Sequence, residues 1–509
     1  MTALALILTL TASLSPLLTF ARLWQVKEWR IDRLREHLRS EGTVRQLFGL
    51  VRPVLLILLY PVFFLRWVPG QTWTIGTLVL LTVLTIVQIA LDRQPFPRWT
   101  MKALALTIGA LLLTFVGSVM LLLLHPNASV VLPLFPLLQP FALFLSWCVF
   151  LPVDRSLKHR VMERARLLRK AHPDLTVIGI TGSVGKTTTK ELLLHLLKTQ
   201  GAHATPAYVN TEMGVAEWLT KELATPDPPR ILIVEMGAYR PGEIALLCNI
   251  AKPTLGIITF IGTQHIALFG SQDALLKTKA ELFQSLPADG TAILNADSPF
   301  VEALKGMSGC PTITVSTGEH ADIEAFDIEE TPTGIRFRIG ITVFTIPLHG
   351  THNVSNVLLA IAAAEALGMK RNEVARALLT FRPPEHTFAV RMLPQGVMLL
   401  DDSHNASPAS FSAAINWAKT QPEEHKVLLT SGLIELGEEE DRVHAKLGTE
   451  AAGIFDRVIF THARHARAFE RGFGKPVEIF GKTTARLPSP SLLACIGRVP
   501  EEFIRRLLP

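Results

Sequence analysis

Five apolar stretches crowd the first 153 residues, at about 3–21, 47–68, 73–91, 103–124 and 130–153. Each is near the roughly 20 residues that carry a helix across a bilayer. Hydrocarbon offers no partner to a free backbone N–H or C=O, so a chain patterned this way is driven to helices there. The second stretch fits least well. Arg52, Pro53 and Pro61 fall inside it, and a tilted or re-entrant segment is its alternative reading.

Charge sets the orientation. Residues 22–49 carry seven Lys/Arg, 92–102 three and 154–172 seven, whereas 69–71 and 125–129 carry none. Basic loops favour the cytoplasmic side, which puts the amino terminus outside and everything after residue 153 inside. Residues 1–24 lack a basic n-region and further spans follow, so a cleaved signal peptide explains them poorly. The net charge of +6 lies largely in these flanking segments. Anionic lipid headgroups account for it more simply than nucleic acid, which is not expected as a partner. Four cysteines without CxxC spacing suit a reducing cytosol and indicate neither zinc nor disulfides.

Residues 1–153 therefore read as a transmembrane domain of about five helices, and 154–173 as a basic juxtamembrane linker. From residue 174 short apolar runs (TVIGI, ILIVEM, LGIITF, TAILN) alternate with helical patterns, the grammar of a mainly parallel sheet with helices on both faces. Residues 311–348 alternate like a β-hairpin elaboration, and a helix is expected from 353 to 367, ended by Gly368. The prolines of FRPPEH at 381–386 mark a hinge. Beyond it VMLLDDSHN, KVLLTSG and RVIF restart the αβ pattern, giving a central domain at 174–386 and a third at 387–509.

The chemistry begins at VIGITGSVGKTTTKELL. A strand meets a glycine-bearing loop and then a helix, the context in which backbone N–H groups around Gly182 and Gly185 cradle polyphosphate. Lys186 would reach the terminal phosphates, Thr187 would ligate Mg²⁺, and Thr188, next on the same helix turn, is counted among the nucleotide-binding residues. The loop departs from GxxxxGK[ST], because Ile180 stands where the first glycine falls. Glu235 ends the strand ILIVE, where an open α/β sheet collects ligands, and suits the same Mg²⁺; a capping or surface carboxylate is the alternative. His265 follows another strand end and by itself is as well explained as a structural histidine. Lys277 and Lys279 share a helix whose default is a solvated basic face.

Taken in order, TGSVGKTTTKE, VNTEMGVAE, ILIVEMGAYRPGEI, IGTQHIALFGSQDALLKTKAELF, GTHNVSNVLLAIAAAEALG and LLDDSHNASPAS resemble the Mur ligase family over about residues 175–460. EMGAYRPGEI, DDSHNASP and LIELGEEE are most similar to its branch that adds D-Ala-D-Ala to a muramoyl tripeptide. The resemblance implies a P-loop central domain and a Rossmann-like C-terminal domain behind the helical transmembrane domain. It also implies an ATP-dependent amide-bond ligase of peptidoglycan precursor synthesis; the apolar spans and charge asymmetry, not the resemblance, place it as multi-pass in a bacterial inner membrane with its catalytic domains cytoplasmic. Its partners would be a muramoyl-peptide carboxylate, a dipeptide amine and the lipid bilayer. By the same resemblance Lys186 and Thr187 bind ATP phosphates and a first Mg²⁺, and Glu235 completes that metal's shell. His265 ligates a second Mg²⁺, and Lys279 is carbamylated as a metal ligand. Asn353 and Asn356 read the adenine edge, Asp402 meets the nucleotide from the third domain, and Asn210 and Glu212 lie near the transferred phosphate.

Two departures bear on substrate. Membrane segments stand where soluble members carry a UDP-gripping domain, so a lipid-linked precursor becomes credible. His386-Thr387 stand where the family has an arginine for the γ-phosphate, and Arg382 or Arg391 are the substitutes at hand. Alternative readings are a ligase of another polymer such as poly-γ-glutamate, or a membrane-tethered ATP-binding scaffold.

Overall fold

The computed structural model describes residues 2–65, 68–262, 269, 271–331, 333–383, 387–393, 396–403, 406–433, 436, 439–481 and 484–509. The chain divides into two compact units, Met1–Lys158 and His159–Pro509.

In the first unit four helical segments are long and apolar enough to cross a bilayer: Thr2–Val26, Gly70–Ala90, Met101–Leu124 and Ala128–Lys170. The second apolar stretch of the sequence forms a shorter helix, Val51–Phe64, of 14 residues, about 21 Å long at 1.5 Å per residue against a hydrocarbon core of about 30 Å. Ile57, Ile86, Leu112 and Leu123 are exposed on the outside of the unit, an apolar surface that suits hydrocarbon rather than water. Aromatic side chains gather at both ends. Trp24 lies 5.8 Å from Trp29 and 5.5 Å from Trp147 at one end, and Tyr60 lies 4.8 Å from Trp73 at the other, with Trp24, Trp29 and Trp73 buried between the helices. Over the basic stretch 154–170 the backbone is helical, the helix Gln139–Lys170 running on through it.

The second unit carries three sheets. The first is wholly parallel, in the order β2-β3-β1-β4-β5-β6-β7. Its strands are β1 (Thr176–Thr181), β2 (Ala202–Ala204), β3 (Ile231–Glu235), β4 (Leu255–Ile258), β5 (Thr291–Asn295), β6 (Thr312–Ser316) and β7 (Ile323–Glu324). Both faces are apolar because both are covered. Ile178, Ile180, Ile233 and Ile257 meet the helices Lys186–Leu197 and Val354–Ala366 on one side. Val177, Leu232, Val234 and Ile258 meet Glu212–Leu223, Glu243–Ala251 and Gln272–Gln284 on the other. An antiparallel sheet of β8 (Phe326–Thr331), β9 (Gly334–Ile339) and β10 (Thr342–Ile346) supplies the hairpin elaboration, although β6 and β7, drawn from the same stretch, extend the parallel sheet instead.

The third sheet has the order β11-β12-β16-β13-β14-β15. Its strands are β11 (Ala389–Met392), β12 (Val397–Asp402), β13 (Lys426–Thr430), β14 (Arg457–Phe460), β15 (Glu478–Ile479) and β16 (Ser491–Ile496), with β11 alone antiparallel. In the first sheet β1 lies between β3 and β4, so the strand order reverses beside it and the loop after β1 opens into the crevice where such sheets bind ligands.

Candidate functional site

The register of β1 with β3 sets Ile180 directly beside Glu235, so the loop that leaves β1 starts next to that carboxylate. The loop is strapped to the segment after β4: Ser183 N donates to Phe260 O at 2.9 Å, and Thr259 Oγ1 donates to Val184 O at 2.6 Å. Gly182 and Gly185 both hold positive φ, +146° and +87°. A Cβ on Gly182 would strike Thr259 Oγ1, and one on Gly185 would strike the Asn356 amide. The loop is thus shaped so that only glycine fits at either position. Gly185 leads into Lys186–Leu197 without a side-chain cap, which leaves the helix amides directed at the loop.

Glu235 gathers the polar groups around it. Thr187 Oγ1 donates to Oε2 at 3.0 Å, Asn210 Nδ2 donates to Oε1 at 3.2 Å, and the Lys190 ammonium lies 3.6 Å from Oε2. Lys190 is fully buried and also donates to Thr205 O at 2.9 Å. Lys186 Nζ folds onto the loop carbonyls of Gly182 (2.8 Å) and Ser183 (3.2 Å). Burial lowers its pKa, partly opposed by Glu235.

The two lysines of the helix Gln272–Gln284 diverge. Lys277 is exposed and pairs with Asp273 at 2.8 Å, as a solvated face requires. Lys279, two residues on and so on another face, is buried and has no hydrogen bond or ion pair among the described residues. Burial first, then the nearby Lys186 charge, push its pKa down to about 7, against the upward pull of Glu243 and Glu281.

From the other side Asn356 Nδ2 donates to Asn353 Oδ1 at 3.0 Å, and Asn353 Nδ2 donates to His349 O at 2.9 Å; both amides are buried. The third sheet approaches here. His349 lies edge-on to Trp417 at 5.9 Å and His352 edge-on to Phe388 at 5.3 Å. Phe388 N donates to Asp402 Oδ1 at 3.2 Å, while Oδ2 is buried without a partner among the described residues. Burial pushes Asp402 up to about 6. Arg391 reaches its neighbour Asp401 at 3.4 Å.

The Mur ligase middle domain matches residues 180–364. The UDP-N-acetylmuramoyl-tripeptide–D-alanyl-D-alanine ligase of Escherichia coli is 30% identical over 361 residues, covering 67% of this chain and 78% of that protein. The chain belongs to the Mur ligase family. The Bacillus subtilis ligase of the same name is 36% identical over 293 residues, 57% of this chain and 63% of that one. The chain spans about three fifths of the length of several such curated relatives. MurF ligase from Thermotoga maritima, crystallised with ADP, superposes with a TM-score of 0.59 at 26% identity, over 68% of this chain and 83% of that one.

This Mur ligase brings Lys186, Thr187, Asn210 and Glu235 together around one loop, with Asn356 against Gly185 and Lys279 close enough to Lys186 to feel its charge. Thr188 is buried on the helix, and Glu212 opens the helix Glu212–Leu223. His265, and the His386 of the hinge, lie outside the described residues. Lys190 was not legible as part of the site. The available signal is its place four residues after Lys186 on the apolar side of the helix, where a lysine must find a buried anion.

Proposed function

We propose that this Mur ligase joins a carboxylate to an amine at the cytoplasmic face of a membrane, with ATP as the energy source. By kinship with the D-alanyl-D-alanine ligases, the acceptor is a muramoyl-peptide carboxylate and the amine a D-Ala-D-Ala-type dipeptide. The observation that carries the reading is the convergence of Thr187, Asn210 and Lys190 on Glu235 beside a glycine loop that a Cβ would obstruct.

The residues suit a magnesium–nucleotide ligand. Glu235 presents a carboxylate already turned toward the Thr187 hydroxyl, the pairing of hard oxygens that Mg²⁺ accepts. In this reading Thr187 and Glu235 hold one ion, and His265 with a carbamylated Lys279 a second. Bound there, Mg²⁺ would neutralise phosphate charge and draw electrons from the transferred phosphorus. The acceptor carboxylate attacks the γ-phosphate of ATP and ADP leaves; the amine then attacks the acyl carbon of the resulting acyl phosphate and phosphate departs.

The chain's own groups position and neutralise. Lys186 swings from the carbonyls of Gly182 and Ser183 to phosphate oxygens, and the amides of the loop and first helical turn donate to the same oxygens. Asn353 and Asn356 present amide edges to the base. Asp402, at the end of β12, brings a buried carboxylate from the third domain.

Arg382 supplies the charge that His386-Thr387 lack. It is exposed beside the hinge with no ion pair among the described residues, whereas Arg391 is engaged by Asp401. Arg382→Ala is expected to lower kcat about 100-fold with little change in KM for ATP, the signature of a group felt only in the transition state. An unchanged kcat in steady-state kinetics would transfer the role elsewhere.

The direct test incubates the detergent-solubilised full chain with ATP, Mg²⁺ and UDP-linked or lipid-linked muramoyl peptides, with and without D-Ala-D-Ala. Phosphate release that needs both peptide and dipeptide is the expected result. Release indifferent to every peptide acceptor would overturn the reading.

A further inference from the structure

Within the first unit one ionised side chain sits among helices with neutral partners only. Arg52 lies in the first turn of Val51–Phe64, and its Nη2 donates to Gln88 Oε1 at 3.0 Å and to Thr85 Oγ1 at 3.4 Å, both on Gly70–Ala90. Gln88 Oε1 also accepts from Ser15 Oγ at 2.5 Å. Gln94 Nε2 continues the seam, donating to Ser15 O at 3.3 Å and Thr19 Oγ1 at 3.2 Å. One polar network therefore ties three helices and the segment after them.

That network is incomplete in a specific way. Arg52 has no carboxylate within ion-pair distance among the described residues, and its Nε is buried with no acceptor; Gln94 Oε1 is buried with no donor. Amide and hydroxyl oxygens satisfy hydrogen-bond geometry but leave the positive charge uncompensated, which is costly inside an apolar bundle. A guanidinium in this state is complemented best by an anion with several oxygens in a fork, such as a phosphate.

Depth points to the source of that phosphate. Arg52 is one residue into its helix and Gln88 two residues from the end of the next. Both ends adjoin the basic segments 22–49 and 92–102, on the side that the charge asymmetry makes cytoplasmic. That is the level of the inner-leaflet headgroups, and basic pockets between helices at this level are where anionic headgroups lodge.

We propose that the Arg52–Gln88–Ser15–Gln94 seam is a seat for the phosphate of an anionic lipid. It rests on the membrane reading of the first unit. The unpartnered Arg52 Nε–H donates to a phosphate oxygen, Gln88 and Thr85 hold the guanidinium in orientation through Nη2, Ser15 Oγ holds Gln88, and Gln94 braces the Ser15 carbonyl.

The test uses the full chain in nanodiscs of phosphatidylcholine containing one-fifth phosphatidylglycerol, with lipid retention read by native mass spectrometry after detergent release. Wild type is expected to retain phosphatidylglycerol about fivefold better than Arg52→Gln, the value of one basic residue at a membrane surface. Arg52→Lys, which keeps the charge and loses the fork, should fall between them and serves if Arg52→Gln does not fold. Equal retention in wild type and variants would overturn the seat. A polyprenyl phosphate that displaces phosphatidylglycerol from wild type supports a phosphate seat open to lipid-linked precursors, whereas displacement by inorganic phosphate alone would overturn the lipid as its source. Alkaline carbonate washing of membranes tests the underlying reading separately. A chain released by the wash fails as a membrane protein, while one that resists it with Arg52-independent retention fails only as a lipid-phosphate binder.

Discussion

Lys279→Ala is expected to cut ATP-dependent phosphate release about 1,000-fold, the loss typical of removing one preorganised charge from a phosphoryl-transfer site. A short carboxylate such as acetate or propionate should restore part of it. Lys279 is buried, makes no ion pair among the described residues, and feels the charge of Lys186 against the weaker opposing pull of Glu243 and Glu281. A permanent ammonium there would repel both Lys186 and any metal on Glu235. Burial resolves the conflict by holding the amine near neutrality, at about 7. A neutral amine is a nucleophile for CO₂: its lone pair forms the N–C bond, a proton leaves nitrogen for water, and the product carries one negative charge on two oxygens. Carbamylation would thereby exchange a repulsive cation for an acid able to complement Lys186 and a metal together.

Two controls separate this from a packing effect. Lys277→Ala on the same helix removes only an exposed pair with Asp273 and should change the rate less than about twofold, since such pairs contribute little. Wild type incubated with ¹³C-bicarbonate should show a carbamate carbon by NMR that Lys279→Arg lacks. Full activity in Lys279→Ala would remove the residue from the mechanism.

The difference between Lys277 and Lys279 also marks how far the sequence could be read. Strand, glycine loop and helix are local grammar, so the loop at 182–185 and the acid ending β3 were legible from residue order alone. Which lysine of KTK turns inward depends on the rotation of its helix against the sheet, and residue spacing leaves that open; only the resemblance singled out Lys279. Asn356 lies against Gly185 across 171 positions of sequence, a contact that no periodicity encodes. The parallel alternation announced a doubly wound sheet, yet the strand that fills the middle of the third sheet, β16, comes from the last 20 residues, where SLLACI stands alone among prolines and the resemblance fades. In the first unit hydropathy located the apolar stretches but not the helix ends: Pro16, Pro61 and Pro152 lie inside helices, whereas the run at 47–68 is interrupted at Gly49, which holds a positive φ between Thr43–Phe48 and Val51–Phe64.

Lys186→Met should be at least as damaging as the loss of Lys279, by about 1,000-fold or more in kcat, because in the proposed site it removes a cation that would contact the transferred phosphate. The fold should survive, since Lys186 contributes to it only two hydrogen bonds, to the carbonyls of Gly182 and Ser183, and circular dichroism with thermal melting checks this. The two lysines are coupled through charge. After burial, Lys186 is the next group that holds the Lys279 amine down, so its removal lets that amine take up a proton more readily and weakens its capacity for CO₂. Loss of Lys186 therefore carries part of the loss of Lys279 within it. The double variant Lys186→Met/Lys279→Ala should then be scarcely slower than the worse single variant, far from the product of the two losses, as expected for groups acting as a unit. Multiplicative losses in single-turnover phosphate release would mean that the two side chains act on separate steps, and the charge coupling between them would have no part in the reaction.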